Sequence, residues 1–484
     1  MIGTDKKTIA ANELPGDLSI AIETITSNTT IDKEEKFLQI AALSFNYRRS
    51  GIMPLHKETI SLPVAEPEEK TYCNANTLQV LKDILSEESV PLLKFWLEHC
   101  SDKQQIVLPE ILPVLLAKGA QEKKLQLLVA QCSGKRGEWL GRFNDAWNFS
   151  QQQTAEQTWQ TGTPEQRKTI LREIRTTDPN VARTMLQQTW AEEDANTKLS
   201  FLSILPTELG EADIEFLESL ATEKSKKVKD EALELLKAIP SSAIVQQYQK
   251  ILQQSVEIKK EKAMLGLSSK KVLSFVLTEN INESIFKSGI DKLSNKKEFT
   301  DEEFILYQLI QAVPPSFWEN QLGEAPEQII NYFQKDVVGK KMMSALVLAI
   351  RRFKDANWAF LVMQYSEIFY LEVLPLLPLQ QKEYYSNKFF EQHPDSILQY
   401  ALENNREWSI EMTRNIFRHL AKNPYQYNRS FYNQQIHLIP VSIVAELEKF
   451  TPQEEHLRNM WSNTSDYITK LVTLKIQTIK AFNQ

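Results

Sequence analysis

Apolar residues recur at intervals of three and four along nearly the whole chain, the spacing of a helix that buries one face. The segment "EEKFLQIAALSFNYRRSG" (34–51) places Phe37, Ile40, Ala41, Leu43 and Phe45 in this rhythm and closes on Arg48, Arg49 and Gly51. Basic residues followed by glycine suit the end of a helix. "LPVAEPEEKTYCNANT" (62–77), with two prolines, acids and small polar residues, predicts a loop. Beyond it, "TLQVLKDILSEESVPLLKFWLEHC" (77–100) and "LPEILPVLLAKGAQEKKLQLLVAQC" (108–132) read as helices interrupted by prolines and polar pairs. A Gln-rich stretch, "SQQQTAEQTWQTGTP" (150–164), separates these from a more regular block.

From Pro164 the pattern predicts stacked hairpins: helix 164–176, a turn at Asp178-Pro179, helix 179–190, then shorter helices up to "SKKVKDEALELLKAIP". In the last, Val228, Ala232, Leu235, Leu236 and Ile239 trace one apolar face. No segment between 160 and 255 alternates with a period of two, so no βαβ unit is expected there. Asp178 reads as a helix N-cap and Pro179 as the first helical residue. Arg172 and Arg175 fall in the last turn of the preceding helix, where cations suit the negative end of the dipole. Val181, Met185 and Thr189 are expected to share a face, with Leu186 and Trp190 beside it. About 47 residues later "EKSKKVKDEALELL" repeats the second-helix pattern, a spacing within the range of HEAT-like repeats.

Composition changes this picture little. Apolar residues make up 42 % of the chain and charged residues 25 %, and there are 13 glycines in 484 residues. Glycine scarcity favours helices joined by short polar turns over a turn-rich sheet protein. Aromatic residues number 18 in residues 1–300 and 27 in 301–484, so the later helices are expected to pack with larger side chains. The expected fold is an all-α α-solenoid of HEAT-like helical hairpins with an aromatic-rich helical C-terminal section. Its sections are 1–150, 164–298 and 299–484, the last two divided near "NKKEFTDE" (295–302).

Candidate chemistry is sparse. Cys73, Cys100 and Cys132 form no CxxC and read as reduced thiols of a cytoplasmic protein. The chain has no charged-then-apolar leader, and runs such as "SALVLAI" (344–350) are far shorter than the roughly 18 residues of a membrane span. The six histidines, His56, His99, His393, His419, His437 and His456, show no HExxH or other short ligand spacing. "GKRGEW" (134–139) lacks the phosphate-loop spacing and reads as a turn that ends a helix, although Lys135 and Arg136 would suit an anion. Glu192, Glu193 and Asp194 stand where a helix start favours acids. No catalytic residue, metal ligand or cofactor is assigned.

Charge supplies one feature. The whole chain carries −7, yet residues 224–297 hold 15 lysines, no arginine and 8 acids. Lys226, Lys227, Lys229, Lys259 and Lys260 are therefore the candidate interaction surface. Without arginine and with few aromatics, this stretch does not suit base readout or stacking.

The ordered series "IGTDKK" (2–7), "AALSFNYRRSG" (41–51), "GKRGEWL" (134–140), "LREIRTTDPNVAR" (171–183), "FLESLATEKSKKVKDEALELL" (216–236) and "IPSS" (239–242) resembles a bacterial family of α-helical, HEAT-like proteins of unknown function. The resemblance covers roughly residues 1–245, with lysine at Lys6, Lys7 and Lys229 where the family more often has arginine. It implies a helical-repeat fold and genes often placed beside MoxR-type AAA+ ATPases and von Willebrand factor A-domain proteins. It implies no reaction. The expected function is a non-enzymatic scaffold that binds a protein partner, with a MoxR-type ATPase system suggested by resemblance. The alternative is a nucleic-acid-binding protein or DNA-acting enzyme that uses the lysines of 224–297.

Overall fold

The computed structural model describes residues 13–51, 63–149, 155–263, 268–279 and 281–483, with backbone only for 261–263 and 268–270. The motif at 2–7, His56 and part of the loop and Gln-rich stretches lie outside the described residues. Two compact units emerge, 1–65 and 66–484. The first is a helical hairpin, α1 (Ser19–Ser27) and α2 (Lys33–Ser50). Asp32 caps α2 by accepting from Glu35 N. Of the face expected on α2, Ile40 is buried with Leu18 and Ile22, whereas Phe37 and Phe45 are exposed. A two-helix unit has too little inner surface to cover both sides of its longer helix.

The second unit opens with α3 (Ala75–Ser86), α4 (Val90–Asp102), α5 (Leu112–Gln121) and α6 (Gln126–Gly141), plus a short parallel pair, β1 (Thr71–Tyr72) with β2 (Gln105–Ile106). Ser89 caps α4, whose second residue is a proline, and Leu92, Trp96 and Leu97 form its buried face. Next come α7 (Ala155–Thr161), α8 (Pro164–Thr177), α9 (Pro179–Thr189), α10 (Ala195–Leu202), α11 (Ile214–Ser219), α12 (Lys226–Leu236) and α13 (Ala243–Ser255). Thr163 and Gln166 form a reciprocal capping box at the start of α8. The helices α8, α10 and α12 pack in succession around Leu171, Phe201, Leu217 and Val228. The predicted face of Val228, Ala232, Leu235, Leu236 and Ile239 is buried, whereas α9 buries Ala182 and Leu186, with Trp190 buried just past its end, and leaves Val181 exposed.

A local departure from helix follows. Residues Val256–Ala263 (β3) and Ser268–Phe275 (β4) form an antiparallel hairpin with Val256 opposite Phe275 and Lys260 opposite Lys271. Val256 and Leu273 are buried, and Ile258 and Phe275 pack against the same core. The two-residue period is present in "VEI" and "LSF" but is interrupted between them by Lys259 and Lys260 on one strand and Lys271 on the other. The fold remains all-α, and this ribbon is an insertion in it.

The single-turn α14 (Ser284–Lys287) follows the ribbon, and the aromatic-rich section then contains α15 (Asp301–Ile310), α16 (Ser316–Leu322), α17 (Pro326–Lys335), α18 (Val337–Arg352), α19 (Ala356–Tyr365), α20 (Leu379–Phe389), α21 (Pro394–Glu403), α22 (Ile410–Lys422), α23 (Arg429–Gln435) and α24 (Glu455–Phe482). Trp318, Trp358, Phe333, Phe417 and Trp461 lie fully inside, which accounts for the aromatic enrichment. Gly339 has a packing reason: a Cβ there would stand 2.5 Å from the Phe333 carbonyl oxygen, so α18 approaches α17 only without one.

Helix α24 packs against α3 and α4, so the last helix of this unit meets its first. Phe482 meets Trp96 edge-on with centroids 5.2 Å apart. The buried Lys475 ammonium donates to Glu407 Oε2 at 2.5 Å and to the Ile439 carbonyl at 2.8 Å. In an open solenoid each repeat touches only its neighbours. Here the two ends of the unit close on each other.

Candidate functional site

Arg175 is not the exposed dipole partner that its place near the end of α8 suggests. Its side chain is fully buried and forms a fork on Asp213, with Nη1 to Oδ1 at 3.0 Å and Nη2 to Oδ2 at 2.6 Å. The remaining N–H groups reach the carbonyls of Thr207, Pro179, Leu205 and Glu208. Arg183 adds a bond to Asp213 Oδ1 at 2.8 Å, and Gly210 N donates to Oδ2 at 3.1 Å. Burial pushes the Asp213 carboxyl up, but the bonds from Arg175, Arg183 and Gly210 outweigh it and hold the group below the usual carboxylate range. Every polar atom of the fork is satisfied, and the node ties α8 to the turn before α11. Asp178 accepts from Asn180 N and Val181 N and so caps α9, with Pro179 at its first position. Asp178→Ala is expected to lower unfolding free energy by about 0.5–2 kcal/mol, read as a shifted urea midpoint with unchanged slope.

The nominated lysines divide into two places. Lys226, Lys227 and Lys229 occupy the first turn of α12, whose start is capped by Ser225. Lys226 and Lys229, three residues apart, edge a cleft of about 610 Å³ together with Lys287 at the end of α14. Leu217, Leu233, Leu236 and Ile244 supply its apolar lining, and Glu218 and Asp230 its acids. Among the described residues none of these three lysines has an ion-pair partner. Cations at a helix N-terminus oppose the dipole, so their position is not explained by the stability of α12. Lys259 and Lys260 instead stand exposed on β3, where Lys259 pairs with Glu257 at 3.2 Å. They do not line the α12 cleft. Lys287 was hidden within the general lysine excess because α14 is a single turn with no periodicity to place it.

"GKRGEW" lies within α6, where Gly134 breaks the helix with φ 61° and ψ −165°. Glu68 occupies the anion position so created, accepting from Lys135 N at 2.8 Å and Arg136 N at 3.0 Å. The turn ends one helical segment and starts another, and the chain's own carboxylate fills it. A Cβ on Gly134 would collide with Glu68.

The three cysteines are distant in sequence but all buried, with Cys100 Sγ donating to the Gln105 carbonyl and Cys132 Sγ to that of Leu97. The contact with Cys132 and burial push the Cys100 thiol far up, and burial raises Cys73. Such thiols are poor nucleophiles. The described histidines are engaged separately: His419 with Asp395 at 3.0 Å, His437 with Asn405 at 2.7 Å, His99 with the Phe95 carbonyl at 2.9 Å, His456 with Glu454 at 3.7 Å, and His393 stacked on Phe369. Among the described residues no group of three His, Cys, Asp or Glu side chains is placed to hold a metal ion. Of the acids at 192–194, Glu193 pairs with Arg167 and Asp194 caps α10. No helix among the described residues is long and apolar enough to cross a membrane.

Compared with known proteins, the chain matches a family model described as a family of unknown function (DUF5691) across residues 1–482. No curated protein and no solved structure matches it.

Proposed function

The chain belongs to the DUF5691 family of unknown function, and from that premise we propose that it is a non-catalytic scaffold that binds a protein partner. The carrying observation is the α12 cleft: Lys226, Lys229 and Lys287 stand around an aliphatic lining with no ion-pair partner among the described residues, two of them against the helix dipole. Unpaired cations beside apolar surface suit a protein face that brings carboxylates together with apolar side chains. The fork on Asp213 and the turn held by Glu68 are satisfied internally, which is how structural rather than catalytic groups are arranged. Succession of α8, α10 and α12 supports reading the middle section as stacked HEAT-like hairpins, with solenoid architecture confined to that section. The suggestion that the partner is a MoxR-type ATPase system rests on the family resemblance.

Affinity capture from the native cell, with the tagged chain and its Lys226→Glu, Lys229→Glu, Lys287→Glu variant, tests the proposal. A protein partner retained at about 0.15 M salt by the wild type and lost by the variant is the expected result. Retention of the same partner by a folded variant removes the cleft from the reading.

A second reading has one observation in its favour: the β3–β4 ribbon, which carries lysines at 259, 260, 262, 270 and 271. Two-stranded ribbons can enter a major groove. Lys259 and Lys271, however, are paired with Glu257 and Glu324. Nucleic-acid binding by such a ribbon would fall steeply with salt. Tight DNA or RNA binding that survives about 0.15 M salt and is lost on charge reversal at Lys259 and Lys260 would favour this reading over the scaffold.

A further inference from the structure

A second cleft, of about 640 Å³, opens between α12 and the turn that joins α18 to α19. Leu209, Leu235, Leu348 and Phe353 give it an apolar lining, and its charged lining is Arg351, Arg352, Lys354 and one carboxylate, Glu234. Glu234 is already compensated: Lys237 Nζ lies 2.6 Å from one oxygen and both terminal nitrogens of Arg352 lie 3.3 Å from the other. Burial pushes this carboxyl up, and the two cations bring it below its ordinary range. Lys354, on a left-handed backbone with φ 53°, donates to the Pro206 carbonyl at 2.8 Å. Arg351 is exposed and has no ion-pair partner among the described residues. The cleft thus offers one unengaged guanidinium, a second held by long bonds, and an apolar lining.

We infer that this cleft binds an acidic peptide segment, its carboxylates on Arg351 and Arg352 and an apolar side chain on the lining. The inference rests on the scaffold reading and supplies the chemistry of the partner. A guanidinium fork matches a carboxylate in two parallel hydrogen bonds. The volume lies within the range of sites that enclose a few side chains. Both α12 and α18 end at this cleft, so their carbonyl-bearing, negative ends face it. Together with Glu234 they disfavour a dense polyanion such as polyphosphate or nucleic acid more than they disfavour spaced carboxylates.

Fluorescence anisotropy of the purified full chain with a labelled Glu-Glu-Leu-Phe-Glu-Glu peptide tests this, with Gln-Gln-Leu-Phe-Gln-Gln as control and inorganic polyphosphate as competitor. The acidic peptide is expected to bind, the control not, and Arg351→Glu to weaken binding about tenfold or more. Arg351 is exposed, so a circular dichroism spectrum like wild type is expected for that variant, and Arg351→Gln serves as the milder substitution if it is not. Unchanged affinity in folded Arg351 variants, equal binding of the control, or preferential binding of polyphosphate overturns the inference. Loss in the Lys226, Lys229, Lys287 variant but not at Arg351 moves the peptide to the first cleft, overturning this inference and leaving the scaffold standing. Peptide binding as expected, with no protein partner captured from cells, sinks the scaffold reading alone.

Discussion

Arg175→Ala is expected to lower the unfolding free energy by about 3–5 kcal/mol, the usual result of stranding one member of a buried ion pair. The variant loses the fork on Asp213 and leaves the Thr207, Leu205 and Glu208 carbonyls without this donor. Arg183 and the Gly210 amide then face Asp213 without it. Arg175→Lys is expected to fall nearly as far, because one ammonium cannot supply a planar fork and four carbonyl bonds together. The pH dependence follows from the depressed Asp213 carboxyl. A carboxyl lowered in the folded state contributes stability above its unfolded pKa and loses it as pH falls through the folded value. The gap between wild type and Arg175→Ala should therefore be full at neutral pH and shrink below the ordinary aspartate range, near pH 3.9. Urea unfolding at several pH values measures this. A variant within about 1 kcal/mol of wild type at pH 7 would show that the node is not a principal support.

Trp96→Ala is expected to cost about 3–5 kcal/mol and to loosen the closure of the larger unit. The indole is fully buried, donates from Nε1 to the Thr77 carbonyl at 3.1 Å and packs on Phe482. Its removal opens a cavity where α3, α4 and α24 meet. Trp96→Phe keeps most of the ring contact and loses the hydrogen bond, about 0.5–1.5 kcal/mol. Thermal melts give the ranking, and limited proteolysis reads the closure: α24 should be cut faster in Trp96→Ala under native conditions. Equal protection of α24 in both chains would mean that other contacts, such as the Lys475–Glu407 pair, suffice to hold it.

Much of the helical fold was legible because each long helix carries its own evidence: caps such as Asp178 and Thr163, and apolar steps such as Val228, Ala232 and Leu235. What escaped were properties that exist only between segments. Arg175 read only as a favourable charge at a helix end because its partner Asp213 is 38 residues away, beyond any local pattern. The β3–β4 ribbon was masked by the lysines that made its stretch conspicuous. Lys226 and Lys229 were visible as a pair on one helix face, but Lys287 joins them only through the fold. Arg351 and Arg352 drew no reading from the sequence, because nothing near them along the chain points to Leu209 or Glu234.

The meeting of α24 with α3 and α4 also sets a timetable for synthesis. The α3–α4 surface that receives α24 leaves the ribosome early, and between Asp102 and Phe482 roughly 380 residues must still be added, about 20–75 s at the usual 5–20 residues per second. For that interval the nascent chain exposes an apolar seat around Trp96 whose occupant has not yet been made.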